Sequence, residues 1–77
     1  MDFNYEKLRG RIREKVRSDT VFAKRLGLSK TSLSLRLSNR LHFSQCDIYN
    51  SMRILQIPPE ELESYFFDKE KGSEYWF

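Results

Sequence analysis

Apolar residues recur at helical spacing along most of the chain. Tyr5, Leu8, Ile12 and Val16 fall at i, i+3, i+7 and i+11, the buried stripe of a first helix over about residues 4–17. Ser18-Asp19 is a capping signal, and Phe22, Ala23 and Leu26 follow at helical spacing up to Gly27, which predicts a second helix of about eight residues. Ser29 caps a third helix in which Leu33 and Leu37 face inward at i, i+4. Asn39-Arg40-Leu41-His42-Phe43 reads as a connector with one or two buried anchors. Ser44-Gln45-Cys46-Asp47 resembles a capping box with Asp in place of the usual Glu. Ile48, Met52 and Leu55 then form the stripe of a fourth helix, with Ile57 just beyond it. Pro58-Pro59-Glu60-Glu61 suits the opening of a short fifth helix, because proline is tolerated in a first turn and acids favour its positive end.

No stretch before residue 64 alternates with period two, so no strand is predicted there. From Ser64 the pattern changes. Tyr65-Phe66-Phe67 and Tyr75-Trp76-Phe77 flank the polar Asp68-Lys69-Glu70-Lys71-Gly72-Ser73. Such a segment suits a short hairpin, a strand added to a partner's sheet, or a tail that adheres to another surface. The expected architecture is an all-α domain of five short helices over residues 1–66, followed by an aromatic tail over residues 67–77.

Length narrows this further. Seventy-seven residues and 9.3 kDa hold one small domain. The single cysteine, Cys46, excludes an internal disulfide framework and suits a reducing compartment, and the absence of a Cys/His cluster excludes a structural zinc. The sequence has no apolar run long enough to span a bilayer, and Met1-Asp2-Phe3-Asn4-Tyr5 lacks the order of a signal peptide, so a cytoplasmic protein is expected. His42 and Cys46 stand alone, without a glycine-rich phosphate loop, so neither catalysis, a cofactor nor a small-molecule substrate is expected.

Charge adds a direction. Residues 1–40 carry 11 Lys/Arg against 4 Asp/Glu, a net +7, whereas residues 41–77 carry 3 against 7, a net −4. A basic half beside an acidic half points to a face for a polyanion and another turned away from it. Arg9, Arg13 and Arg17, at i, i+4 and i+8, add a basic stripe to the first helix.

The most specific signal lies in residues 19–38. A helix-turn-helix needs a small residue in its first helix for close crossing (Ala23), then a backbone position of positive φ four residues later (Gly27). It also needs an apolar plug between the helices (Leu28) and inward residues on the second helix (Leu33, Leu37), with Phe22 and Leu26 completing the packing. All these positions are filled.

Ala23…Leu26-Gly27-Leu28-Ser29…Leu33-Ser34 resembles the helix-turn-helix of phage Cro and repressor proteins, the XRE-like family. Phe43-Ser44…Ile48…Met52…Leu55-Gln56-Ile57-Pro58…Glu61-Leu62 is similar to that family's fourth and fifth helices. The residues Met1-Asp2-Phe3-Asn4-Tyr5 and Thr31-Ser32-Leu33-Ser34-Leu35 resemble a small phage-encoded subgroup. The resemblance covers about residues 4–66 and implies a lambda-repressor-like fold and a DNA-binding transcriptional regulator of the Cro type. Such a protein is commonly a homodimer on a double-stranded operator, in the cytoplasm and on the nucleoid of a bacterial host.

With Leu33 and Leu37 inward, Thr31, Ser34, Leu35 and Ser38 take the opposite face, with Lys30 at its edge. These match the family's base-reading positions in the major groove. Lys30 suits guanine O6/N7, the hydroxyls suit either strand, and Leu35 suits a thymine methyl. Thr20, Lys24, Ser29, Arg36, Asn39 and Arg40 are placed for phosphate.

Two features point elsewhere. Asp19 stands where the family usually has a phosphate-touching Gln, and no Arg, Gln or Asn occupies a central base-facing position, so no bidentate contact dominates. The alternative is an antirepressor, a helix-turn-helix protein that binds and inhibits a partner phage repressor. In either case Phe66, Phe67, Tyr75, Trp76 and Phe77 are expected at a dimer or partner interface.

Overall fold

The computed structural model describes residues 2–69. Its helices are α1 (Glu6–Lys15), α2 (Asp19–Leu26), α3 (Lys30–Leu37), α4 (Gln45–Leu55) and α5 (Leu62–Phe66), the last entered through a 3₁₀ turn at Pro59–Glu61. All five expected helices are present. α1 is shorter than predicted because Val16 closes it and Arg17 takes a left-handed conformation (φ 76°), its N–H donating to Ile12 O at 2.9 Å. Arg17 therefore leaves the helical register and does not extend the stripe of Arg9 and Arg13.

The caps follow from the residues that flank each helix. Asn4 Oδ1 accepts from Glu6 N at 2.9 Å at the start of α1. Ser18 Oγ accepts from Thr20 N and Val21 N, and Ser29 Oγ from Ser32 N. Ser44 and Asp47 form the reciprocal capping box of α4, at 3.0 Å in each direction. Gly27 ends α2 at φ 77°, and the turn is fastened by Leu28 N donating to Ala23 O at 2.8 Å.

Leu8 and Ile12 of α1, Phe22 and Ala23 of α2, Leu33 and Leu37 of α3, and Leu55, Ile57, Tyr65 and Phe66 share one core with Tyr5. Leu26, Leu28, Phe43, Ile48 and Met52 pack against it while half-buried. Burial also raises the pKa of the Tyr5 hydroxyl, since the phenolate is the form that loses hydration. Ser51, which carries no apolar signal, is wholly buried beneath α4 and donates its hydroxyl to Asp47 O at 2.6 Å.

Three cationic side chains tie the helices together. Arg11 donates to Leu55 O at 2.9 Å and to Gln56 O at 2.8 Å, capping the carbonyl end of α4 from α1. Lys7 reaches Ser64 Oγ at 2.9 Å and lies 4.6 Å from the Tyr65 ring centroid, joining α1 to α5. Arg36 Nε donates to Asp47 Oδ2 at 3.1 Å, joining α3 to α4.

The terminal segments of the described chain meet. Phe3 forms an isolated antiparallel bridge with Lys69, and Asn4 N donates to Asp68 O at 2.6 Å. The ring of Phe3 meets Phe67 edge-on at 5.7 Å, Tyr5 meets Phe43 at 5.4 Å, and Phe43 meets Phe66 at 5.5 Å. Phe66 is thus a core residue, 2% exposed, and not a partner-facing one. The last turn of α5 directs it inward while its neighbour Phe67 stays exposed against Phe3. Tyr75, Trp76 and Phe77 lie outside the described residues.

Candidate recognition surface

α2, the Gly27 turn and α3 form the helix-turn-helix that the spacing predicts. Ala23 is buried at the crossing, where any larger side chain would push the two helices apart. Inward burial of Leu33 and Leu37 fixes the rotation of α3. Its outer face then presents Lys30, Thr31, Ser34 and Ser38 to solvent, with Leu35 half-buried and outside the core. Thr20, Lys24, Ser29 and Arg40 are also exposed around this face.

Two residues expected to meet phosphate are engaged within the fold instead. Arg36 folds back onto its own helix and across to α4: Nη1 bonds the carbonyl and hydroxyl of Ser32, and Nε bonds Asp47. Burial pushes the Asp47 carboxyl up, but bonds from the Ser44 backbone and hydroxyl and from Arg36, with the Arg36 charge, outweigh it and leave the group below the usual range. Asn39 takes a left-handed conformation (φ 67°) just past α3. Its amide accepts from Phe3 N and donates to Phe3 O, both at 2.9 Å, as a neighbouring strand would. Asn one residue past a helix C-cap, here Ser38, is a known stop signal, and it is the local clue to the left-handed backbone at this position. Nothing local marks the Arg36–Asp47 pair, which forms only once α4 packs beside α3.

The connector after α3 has one of the one or two anchors expected of it. Phe43 is the anchor, whereas Leu41 is 44% exposed. Arg40 N and Leu41 N both donate to Leu35 O, at 2.8 and 3.2 Å, so the chain turns tightly over the end of α3 and sets Leu41 beside the Leu35 backbone. The surface therefore carries apolar side chains among hydroxyls at one end and Lys30 at the other.

Bases outnumber acids on α2, α3 and the turn after them, where Lys24, Arg25, Lys30 and Arg40 are exposed and Asp19 is the one acid. Of the 11 Lys/Arg in residues 1–40, only Lys7, Arg11 and Arg36 are in ion pairs among the described residues. Arg9 reaches Leu37 O weakly at 3.5 Å, and Arg13, Lys15, Lys24, Arg25, Lys30 and Arg40 are exposed. Asp19 is half-buried in the first turn of α2, where an acid meets the positive end of the helix dipole. Among the described residues no group of three or more His, Cys, Asp or Glu could hold a metal ion, and no helix is long and apolar enough to cross a membrane. Cys46 is exposed in the first turn of α4.

No curated protein matches the chain. The solution structure of the modulator of repression (MOR) of the temperate bacteriophage TP901-1 from Lactococcus lactis does match, with a TM-score of 0.75 and 31% identity, over 87% of this chain and 90% of that one. The profile of a family described as "Protein of unknown function (DUF739)" matches residues 1–69. The chain belongs to that family, as a small all-helical relative of the phage protein MOR.

Proposed function

We propose that this protein is a phage-type regulator that modulates repression by binding a partner repressor protein, with the exposed face of α2 and α3 as its contact surface. The observation that carries this reading is the chemistry of α3. Its outer face offers hydroxyls, one lysine and Leu35, with Leu41 beside them, while the Arg36 guanidinium and the Asn39 amide are held inside the fold. Each good bidentate base contact contributes about 1–3 kcal/mol of discrimination, and with only Lys30 at the edge of this face suited to one, no such contact dominates. A half-buried Leu35 and an exposed Leu41 ringed by polar residues suit a protein interface better than a groove edge. The relation to a protein named as a modulator of repression supports the same reading.

One observation favours the other reading, a Cro-type homodimer on an operator. The unpaired lysines and arginines of residues 1–40 are what phosphate contact requires. The same charge suits an acidic partner surface.

Fluorescence anisotropy with duplex DNA from around its own gene, against a scrambled duplex at two salt concentrations, separates the two. The expected result is weak, equal binding lost with salt, together with a stable complex on size exclusion when a phage repressor from the same genome is co-expressed. Preference for the native duplex by about a hundredfold, with no such complex, overturns the antirepressor reading.

A further inference from the structure

Beyond the α2–α3 face, α4 carries two adjoining concavities that share Arg53. One, about 430 Å³, is lined by Arg25 of α2 with Asn50, Arg53 and Ile54. The other, about 440 Å³, is an apolar groove lined by Tyr49, Met52, Arg53, Gln56, Ile57 and Pro59. Tyr49 is 61% exposed, and the Arg53 guanidinium lies over its ring, 5.8 Å from the centroid. Neither Arg25 nor Arg53 is in an ion pair among the described residues.

Arg25 joins this region to the α2–α3 face. At 100° per residue, the order round α2 runs from Ala23, at the crossing with α3, through Thr20, Lys24 and Val21 to Arg25, which borders α4. Thr20, Lys24, Val21 and Arg25 are all exposed. One belt of accessible surface therefore runs from the outer face of α3, over α2, into the two concavities of α4.

Tyrosine, methionine and arginine are the residues in which interface centres are enriched. The arginines set the charge of the occupant, because two guanidiniums beside the Asn50 amide suit a carboxylate. The groove sets the second requirement, an apolar side chain next to that acid. A sugar–phosphate backbone would meet the arginines but has no such side chain. Resting on the antirepressor reading above, the geometry points to an acidic segment of the same partner repressor as the occupant. Its carboxylate lies at Arg25 and Arg53, and its apolar side chain lies on Tyr49 and Met52. The repressor thus engages α3 through hydroxyls and Leu35, and α4 through charge and the groove. Complementary charge on α4 also speeds the encounter and fixes its orientation.

Calorimetry of the full chain against a phage repressor from the same genome tests this, with Arg25→Gln plus Arg53→Gln as one variant and Tyr49→Ala as another. All three side chains are exposed, so helical circular dichroism and the thermal midpoint should stay close to the parent's. Each variant should bind about tenfold or more weakly. Added salt should weaken the parent complex more steeply than that of the arginine variant, because salt screens the charge pair. If the unaltered chain binds no repressor, the antirepressor reading fails and this contact fails with it. If it binds, and both variants bind as tightly as the parent, the α4 contact alone is overturned. Parent-like salt dependence in the arginine variant overturns the acidic occupant. A free chain that dimerises, and that either variant makes monomeric, assigns the face to a second copy and overturns the proposal as well.

Discussion

The side-chain amide of Asn39 clasps the backbone of Phe3 through two hydrogen bonds, each 2.9 Å, and so fastens the end of α3 to the N-terminal segment. That segment is in turn paired with Asp68 and Lys69, so a residue just after the candidate recognition helix holds both ends of the described chain. Asn39→Ala loses two bonds worth about 0.5–1.5 kcal/mol each. It also puts Ala, which lacks the local hydrogen bonding that eases Asn into this region, in a left-handed conformation, at an added cost of up to about 1 kcal/mol. The expected loss is about 1–4 kcal/mol by urea denaturation. Asn39→Gly should recover the backbone part only. If the glycine variant matches the parent chain, the clasp contributes nothing to stability.

Asp47 makes stability depend on pH. Its pKa is lowered in the folded state, so its contribution is complete above the unfolded value of about 4 and is lost as pH falls through the lower folded value. Acid titration of the thermal midpoint should show a decline below about pH 4. In Asp47→Asn that decline should be shallower, and the variant less stable at neutral pH because Arg36 loses its ionic partner. Equal acid slopes in the two proteins would show that the pair titrates no differently on folding.

Gly27 separates backbone strain from crowding. A Cβ added there meets nothing within 4 Å, so the only penalty of Gly27→Ala is its φ of 77°. A loss of about 1–2 kcal/mol is expected, with Gly27→Asn milder because Asn tolerates this region. A much larger loss measured by chemical denaturation would mean that the turn itself rearranges.

Leu35 and Leu41 test the contact surface. Both stand outside the core, so Leu35→Ala and Leu41→Ser should leave the thermal midpoint close to that of the parent chain. Binding to a co-purified repressor, measured by calorimetry, should weaken by about tenfold or more for Leu35→Ala. Unaltered affinity in both variants would move the contact away from the end of α3.

Much of this architecture can be read from local sequence. Helix periodicity located the first four helices and the Pro58-Pro59-Glu60-Glu61 opening the fifth; Ser18, Ser29 and the Ser44/Asp47 box marked three of the starts, and Gly27 marked the turn. These features depend on residues within one helical turn of each other, where sequence spacing and spatial spacing coincide. The two leucines Leu33 and Leu37 likewise settle which side of α3 faces solvent.

Long-range partners were decided only by the assembled fold. Arg36 and Asn39 look like free phosphate ligands along the sequence, yet one meets Asp47, eleven residues away, and the other meets Phe3, thirty-six residues away. Phe66 and Phe67 are adjacent and equally apolar, but helix rotation buries one and leaves the other at the surface. Arg11 caps α4 across forty-four residues. In each case the side chain's chemistry was fixed by its own identity. Which unsatisfied group it found depended on how the helices packed, because a buried donor, acceptor or charge must take whichever partner the fold brings within reach.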